Sequence, residues 1–333
     1  MSSPWPGALA GLVLGVALCL AEQDWTYEGS NGPSQWSRLG YKECDHHQQS
    51  PIDIHSKSVQ QKHLQPLELH FFDHAPLSAN VTNNYVGALV ALTSGHVPLV
   101  RAGSLYGEYS VVGFHFHWGE NDTVGSEHHL DGHSYPLEMH ILCQNTKYDS
   151  LTKATQRPDG LAVLAVWFEV GPSPNSGLMR LSPALDRIRA GGASTLLSEP
   201  PSLLELMPND LGHFYRYEGS LTTPGCYEVV TWTIFKQPVQ ATEQQMARFR
   251  TLTGLRSRPI GHNYRLVQLP YGRQVFERRP LDEAALEMKP QRDGQEAAAS
   301  GPQSSATAAV ASLLLLQLAA TLTTLSAAVA LTL

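Results

Sequence analysis

The 333-residue chain carries 23 Lys and Arg against 30 Asp and Glu, a formal net charge of −7 at pH 7. An acidic balance without a long basic run argues against a nucleic-acid partner, whose phosphates need clustered cations. No repeat with a period of roughly 20–50 residues is visible, which argues against a solenoid or propeller.

The first feature in chain order is the uncharged run ALAGLVLGVALCLA, residues 8–21. It ends in Cys19-Leu20-Ala21, with small residues where a signal peptidase cuts, and predicts a secretory signal peptide over 1–21. The basic opening of such a signal is missing. The run is short for a membrane span, which needs about 20 apolar residues.

One domain is expected over 24–275, where composition does not break. Its β-type runs are LELHFF (67–72), GALVALT (87–93), YSVVGFHFHW (109–118), LEMHILC (137–143), LAVLAVWFEV (161–170) and EVVTWTIF (228–235). The nearly unbroken apolar run 161–170 reads as a central strand buried on both faces. Helix candidates are shorter: SPALDRIRA (182–190), PSLLELMP (201–208) and ATEQQMARFRTL (241–252), the last with Thr242 as N-cap. The predicted class is mainly β (α+β), with short peripheral helices. The triplets beginning at Asn80 and Asn121 are glycosylation sequons. With Cys19 removed, Cys44, Cys143 and Cys226 remain, which predicts one disulfide and one buried thiol.

Beyond the domain, residues 281–305 lose their aromatics and read as a linker and anchor-attachment region. Residues 306–333 form an uncharged apolar tail behind the small residues Ser300, Gly301 and Ser304. That order predicts a glycosylphosphatidylinositol (GPI) lipid anchor whose signal tail is removed. It places the protein at the extracellular face of the plasma membrane; a single-pass membrane form or a secreted one is the alternative. A spanning helix normally has Lys or Arg on its cytoplasmic side, and none follows this tail. Oligomeric state is left open.

The chemistry begins at VVGFHFHWGEND, residues 111–122. Residues i and i+2 of a strand share a face, so His115 and His117 project together. The pair alone also suits two half-buried histidines bonded to backbone. A strand–loop–strand return would bring His140, on the 137–143 run, beside them. Three neutral imidazoles leave a tetrahedral Zn²⁺ one open position, as in catalytic zinc sites. Glu138 shares the face of His140 and could orient it. His46, His47, His129 and His133 read as ordinary exposed loop histidines.

FHFHWG (114–119), GSEH (125–128), EMH (138–140) and GSLTTPGC (219–226) together resemble the α-class carbonic anhydrases. DWTYEGSNGPSQW (24–36), QSPIDI (49–54), PDGLAVLAV (158–166), VTW (230–232) and NYRLVQ (263–268) extend the resemblance over roughly residues 24–275. The two terminal signals make it most similar to the secreted, lipid-anchored members. The resemblance implies a large twisted, mostly antiparallel central sheet and one Zn²⁺ per chain on His115, His117 and His140. It implies reversible hydration of CO₂ to bicarbonate and a proton, the carbonate dehydratase reaction of a zinc lyase. Thr222 would accept a hydrogen bond from zinc-bound hydroxide and donate one to Glu127, with Thr223 contacting substrate or product. Glu138 would orient His140, with His128, Tyr27 and Asn263 in support. Leu142, Val163, Leu221, Val230 and Trp232 would form the apolar wall that receives CO₂. Cys44 and Cys226 match positions that pair in secreted relatives. Closing that 182-residue separation would stabilise by about 5 kcal/mol in the loop-entropy picture, an upper figure.

Two departures stand out. The family's proton-shuttle histidine would fall in TNNYVGALV, where Tyr85 and Val86 replace a Gly-His pair. Proton export is therefore expected to be slow. Gly113 stands where relatives place a glutamine that holds the first histidine's other nitrogen, so weaker zinc retention is expected. The alternative function is a non-enzymatic binding or adhesion module on the same fold. A zinc peptidase is disfavoured because no His-Glu-x-x-His helix occurs.

Overall fold

The computed structural model describes residues 24–279. The signal peptide, the linker, the apolar tail and the anchor candidates Ser300, Gly301 and Ser304 lie outside the described residues. Among the described residues, no helix is long and apolar enough to cross a membrane.

A 13-stranded sheet dominates these residues. Its middle passes through Ala88–Thr93, Tyr109–Trp118, Leu137–Asn145, Leu161–Val170, Val230–Phe235 and Phe214–Gly219, in that spatial order. Neighbours here are antiparallel except Leu161–Val170 against Val230–Phe235, which run parallel. The mostly antiparallel sheet expected from the resemblance is present, with a parallel join near its centre. Leu161–Val170 is buried over its first eight residues, as its unbroken apolar sequence requires.

Two cores form because alternate residues of each strand face opposite ways. One face packs Phe114, Phe116, Met139, Ile141 and Phe168 against Phe249 of a surface helix. The other gathers Leu142, Val163, Trp167, Tyr217 and Trp232. Each large apolar side chain so buried contributes roughly 1.5–3 kcal/mol.

The helices differ from expectation mainly at their starts. The predicted 182–190 helix runs Ser176–Arg187, capped by Asn175, whose side chain accepts from Leu178 N–H. Ser182-Pro183, which suggested a beginning, lies inside it. Ser182 Oγ donates to the Leu178 carbonyl at 2.8 Å. The 201–208 segment makes only the 3₁₀ turn Leu203–Leu206. Glu243–Phe249 begins at Thr242 as expected, with Gln245 closing a capping box. Short strands at Ser78–Asn83, Ser194–Leu197 and Phe276–Arg279 were not expected, and the last lies beyond residue 275. His129 is half-buried, not exposed, because His129–Leu130 pairs in parallel with Asp53–Ile54.

Strand register sets the site. His115 lies opposite His140, and His117 opposite Glu138. Opposed residues of an antiparallel pair share a face, so all four side chains project to one side. Just before them the register slips between Val111 and Gly113, a β-bulge.

Candidate metal centre

The three histidines each offer one nitrogen within 4.8 Å of the others. His117 Nδ1 lies 2.7 Å from the Asn263 carbonyl oxygen, which can only accept, so Nδ1 carries the proton. His140 Nε2 lies 2.7 Å from Glu138 Oε1, and the same logic protonates Nε2. The remaining nitrogens, His117 Nε2 and His140 Nδ1, point at each other across 3.0 Å. Both carry lone pairs, and lone pairs at this distance repel unless a cation lies between them. Nitrogens about 2.0–2.1 Å from a tetrahedral zinc lie roughly 3.3 Å apart. The donor set therefore fits a metal ion of that kind.

Electrostatics agree, because a metal-binding imidazole must be neutral. Burial pushes His115 down to about 3. Burial, then the neighbouring histidines, holds His117 well below its usual value. Burial also lowers His140, against the opposing pull of Glu138. Glu138 would be raised by burial, but His128 and His140 outweigh that and hold it well below the carboxylate range.

The surrounding shell is uneven. His140 has Glu138, which also meets His128 Nδ1 at 2.7 Å and accepts from His128 N–H at 2.8 Å. His128 Nε2 reaches the Tyr217 hydroxyl, which in turn bonds Ser50. Asn263 clamps the ligand strand as well, accepting from Trp118 N–H at 2.7 Å and donating to the Phe116 carbonyl at 2.9 Å. His115 has no such brace: its Nδ1 is buried and has no partner. Gly113, two residues away on the same strand, has no side chain to offer.

Glu127 is fully buried, and its Oε2 lies 3.5 Å from His117 Nε2 and 3.9 Å from His140 Nδ1. Burial pushes its carboxyl well up, while Arg265 N–H and the Thr222 hydroxyl pull it down. Arg265 N–H donates to Oε1 at 2.7 Å, and the guanidinium holds the Gln49 side chain and the Ser50 and Cys44 carbonyls. Thr222 and Thr223 precede Cys226, which is bonded to Cys44; Cys143 is a buried free thiol. Thr223, Tyr27, Val86 and Leu89 line one cavity with His115 and His117. Burial raises the Tyr27 phenol well above its ordinary value, so it stays a neutral hydroxyl. Leu142, Val163, Leu221, Val230 and Trp232 share one apolar cluster, with Trp232 4.8 Å from the His140 ring.

Arg265, Ser50, Tyr217 and Leu89 escaped sequence reasoning as parts of the site. Arg265 acts on Glu127 from 138 positions away, and no local pattern signals such a contact. Its place inside NYRLVQ was the one available hint.

Two buried imidazoles and a half-buried third, gathered beside an apolar wall, could hold one metal ion with a position left open, as catalytic sites do. The family model for eukaryotic-type carbonic anhydrase matches residues 31–279. Carbonic anhydrase 1 of Monodelphis domestica is 38% identical over 266 residues, covering 77% of this chain and 98% of the relative. Carbonic anhydrase 7 of Homo sapiens is 40% identical over 233 residues, covering 68% of this chain and 85% of the relative. The chain belongs to the eukaryotic-type (α-class) carbonic anhydrases, and its enzyme class is carbonate dehydratase.

Proposed function

We propose that the protein hydrates CO₂ to bicarbonate and a proton at the outer face of the plasma membrane, on a zinc ion held by His115, His117 and His140. The observation that carries this reading is the pair of lone-pair nitrogens, His117 Nε2 and His140 Nδ1, facing each other in a buried site beside His115. Zinc bound by neutral imidazoles brings the pKa of water from 15.7 to about 7, which supplies hydroxide at neutral pH.

The chain's own residues do the rest. Glu138 and the Asn263 carbonyl fix which nitrogens of His140 and His117 stay free. Thr222, as a donor to Glu127, would turn its lone pairs toward the reacting oxygen and select its orientation. CO₂ carries no charge to hold it, so the wall of Leu142, Val163, Leu221, Val230 and Trp232 binds it by excluding water. Thr223 contacts the polar product. Neither residue at the shuttle position supports proton export. Tyr85 adopts φ 72° and its ring lies against Gly191 and Gly192. Val86 lines the cavity but cannot titrate.

The disulfide suits an oxidising compartment. Asn80 and Asn121 are exposed, as glycan acceptors must be. The GPI anchor at Ser300, Gly301 or Ser304 rests on sequence pattern, and release from membranes by a phosphatidylinositol-specific phospholipase tests it. The catalytic reading is tested by stopped-flow CO₂ hydration with metal analysis. One zinc per chain and activity abolished by a chelator support it; a metal-free, inert protein overturns it.

A further inference from the structure

With Val86 at the shuttle position, each CO₂ converted still leaves one proton to be exported. A second cavity, of about 420 Å³, shares Tyr27 and Val86 with the cavity lined by His115 and His117. His262 and Glu28 also line this second cavity. His262 Nδ1 lies 3.4 Å from Glu28 Oε1, and the two side chains are 37% and 62% exposed. The imidazole thus lines the cavity and is partly open to solvent.

The backbone next to His262 is tied to the ligand strand. The next residue, Asn263, receives the His117 Nδ1 proton at its carbonyl and clamps the ligand strand on both sides of His117. The other titratable or charged groups near this histidine are Tyr264, whose ring centroid lies 5.3 Å away, and Tyr27, Tyr85, Arg256 and Arg258, which line the same cavity. Tyrosine and arginine hold their protons too tightly near neutral pH to relay them. Histidine is the side-chain class that accepts and releases a proton there.

We propose that His262, paired with Glu28, is the outward proton relay of this carbonic anhydrase, working through the cavity beside Val86. The imidazole takes a proton from cavity water and passes it to a buffer base in bulk solvent. It returns neutral after each turnover, and no bond to carbon is made or broken. This inference rests on the CO₂-hydration reading above.

The test is His262→Ala against the full zinc-loaded chain, by stopped-flow CO₂ hydration in dilute, non-penetrating buffer. Activity of the unsubstituted protein first establishes the hydration reading independently. Proton export limits kcat but not kcat/KM for CO₂. The expected result is a fall in kcat of roughly tenfold or more, an unchanged kcat/KM, and recovery of kcat on adding imidazole. An unchanged kcat overturns the proposal. So does a fall in kcat and kcat/KM together without imidazole rescue, which marks a merely structural role.

Discussion

Gly113 and Val90 approach across two paired strands so closely that a Cβ on Gly113 would lie 2.6 Å from the Val90 carbonyl oxygen. The glycine also closes the bulge that sets the register of His115 against His140. The missing glutamine is therefore part of the backbone's geometry here, and restoring it would drive a side chain into a strand.

The first prediction concerns stability. Gly113→Ala should destabilise by about 1–3 kcal/mol, the usual cost of overpacking a fixed site. The midpoint of denaturant unfolding measures it. A midpoint equal to that of the parent protein would show that the strands yield freely and that the glycine is incidental.

A second prediction follows from the uneven bracing of the ligands. His115 Nδ1 has no partner, His117 leans on a backbone carbonyl, and only His140 has a side-chain brace, Glu138. Glu138→Gln should weaken zinc binding roughly 10–100-fold, because little else stiffens the set. Competition with a chromophoric chelator reads this directly. Retention within twofold of the parent protein would refute it.

The third prediction is a pH dependence of the metal-free protein. Burial sets His115 at about 3 in the folded state, against roughly 6.5 when unfolded. Above the unfolded value both states are neutral and the group contributes nothing. As pH falls below about 6.5, the unfolded chain gains the proton first, so stability is lost down to about pH 3, where the folded site also protonates. His117 and His140 are shifted in the same direction and add to the loss. Denaturation midpoints of chelator-stripped protein across this window should fall steeply, and His115→Gln should flatten the fall. A slope that His115→Gln leaves unchanged contradicts this.

These residues also show what was legible in the sequence. The shared face of His115 and His117 follows from strand periodicity, because YSVVGFHFHW reads as a strand without outside help. His140 needed only a hairpin return between two strong β-type runs. The capped helix after Thr242 was visible for the same local reason. Asn263 and Arg265 reach the site from far along the chain, and only family resemblance marked one of them. The bulge at Gly113 and the helix start at Asn175 depend on tertiary packing and a buried cap, which local residue preferences do not encode.

The last prediction adds the missing histidine. Val86 lines both the cavity of His115 and His117 and the larger one beside it, so a side chain there borders each. Val86→His should place a titratable group on the short route out, where histidine is matched to proton transfer near neutral pH. In dilute buffer kcat should rise roughly tenfold or more, kcat/KM for CO₂ should stay the same, and added imidazole should stimulate less than it does in the parent protein. The pairing of effects matters, since a limit on proton export acts on kcat while a change in the chemistry acts on kcat/KM. A variant with unchanged kcat and full imidazole stimulation would mean that export is not limited at this wall. A gain in kcat/KM instead would point to a change in the CO₂ pocket, not in the relay.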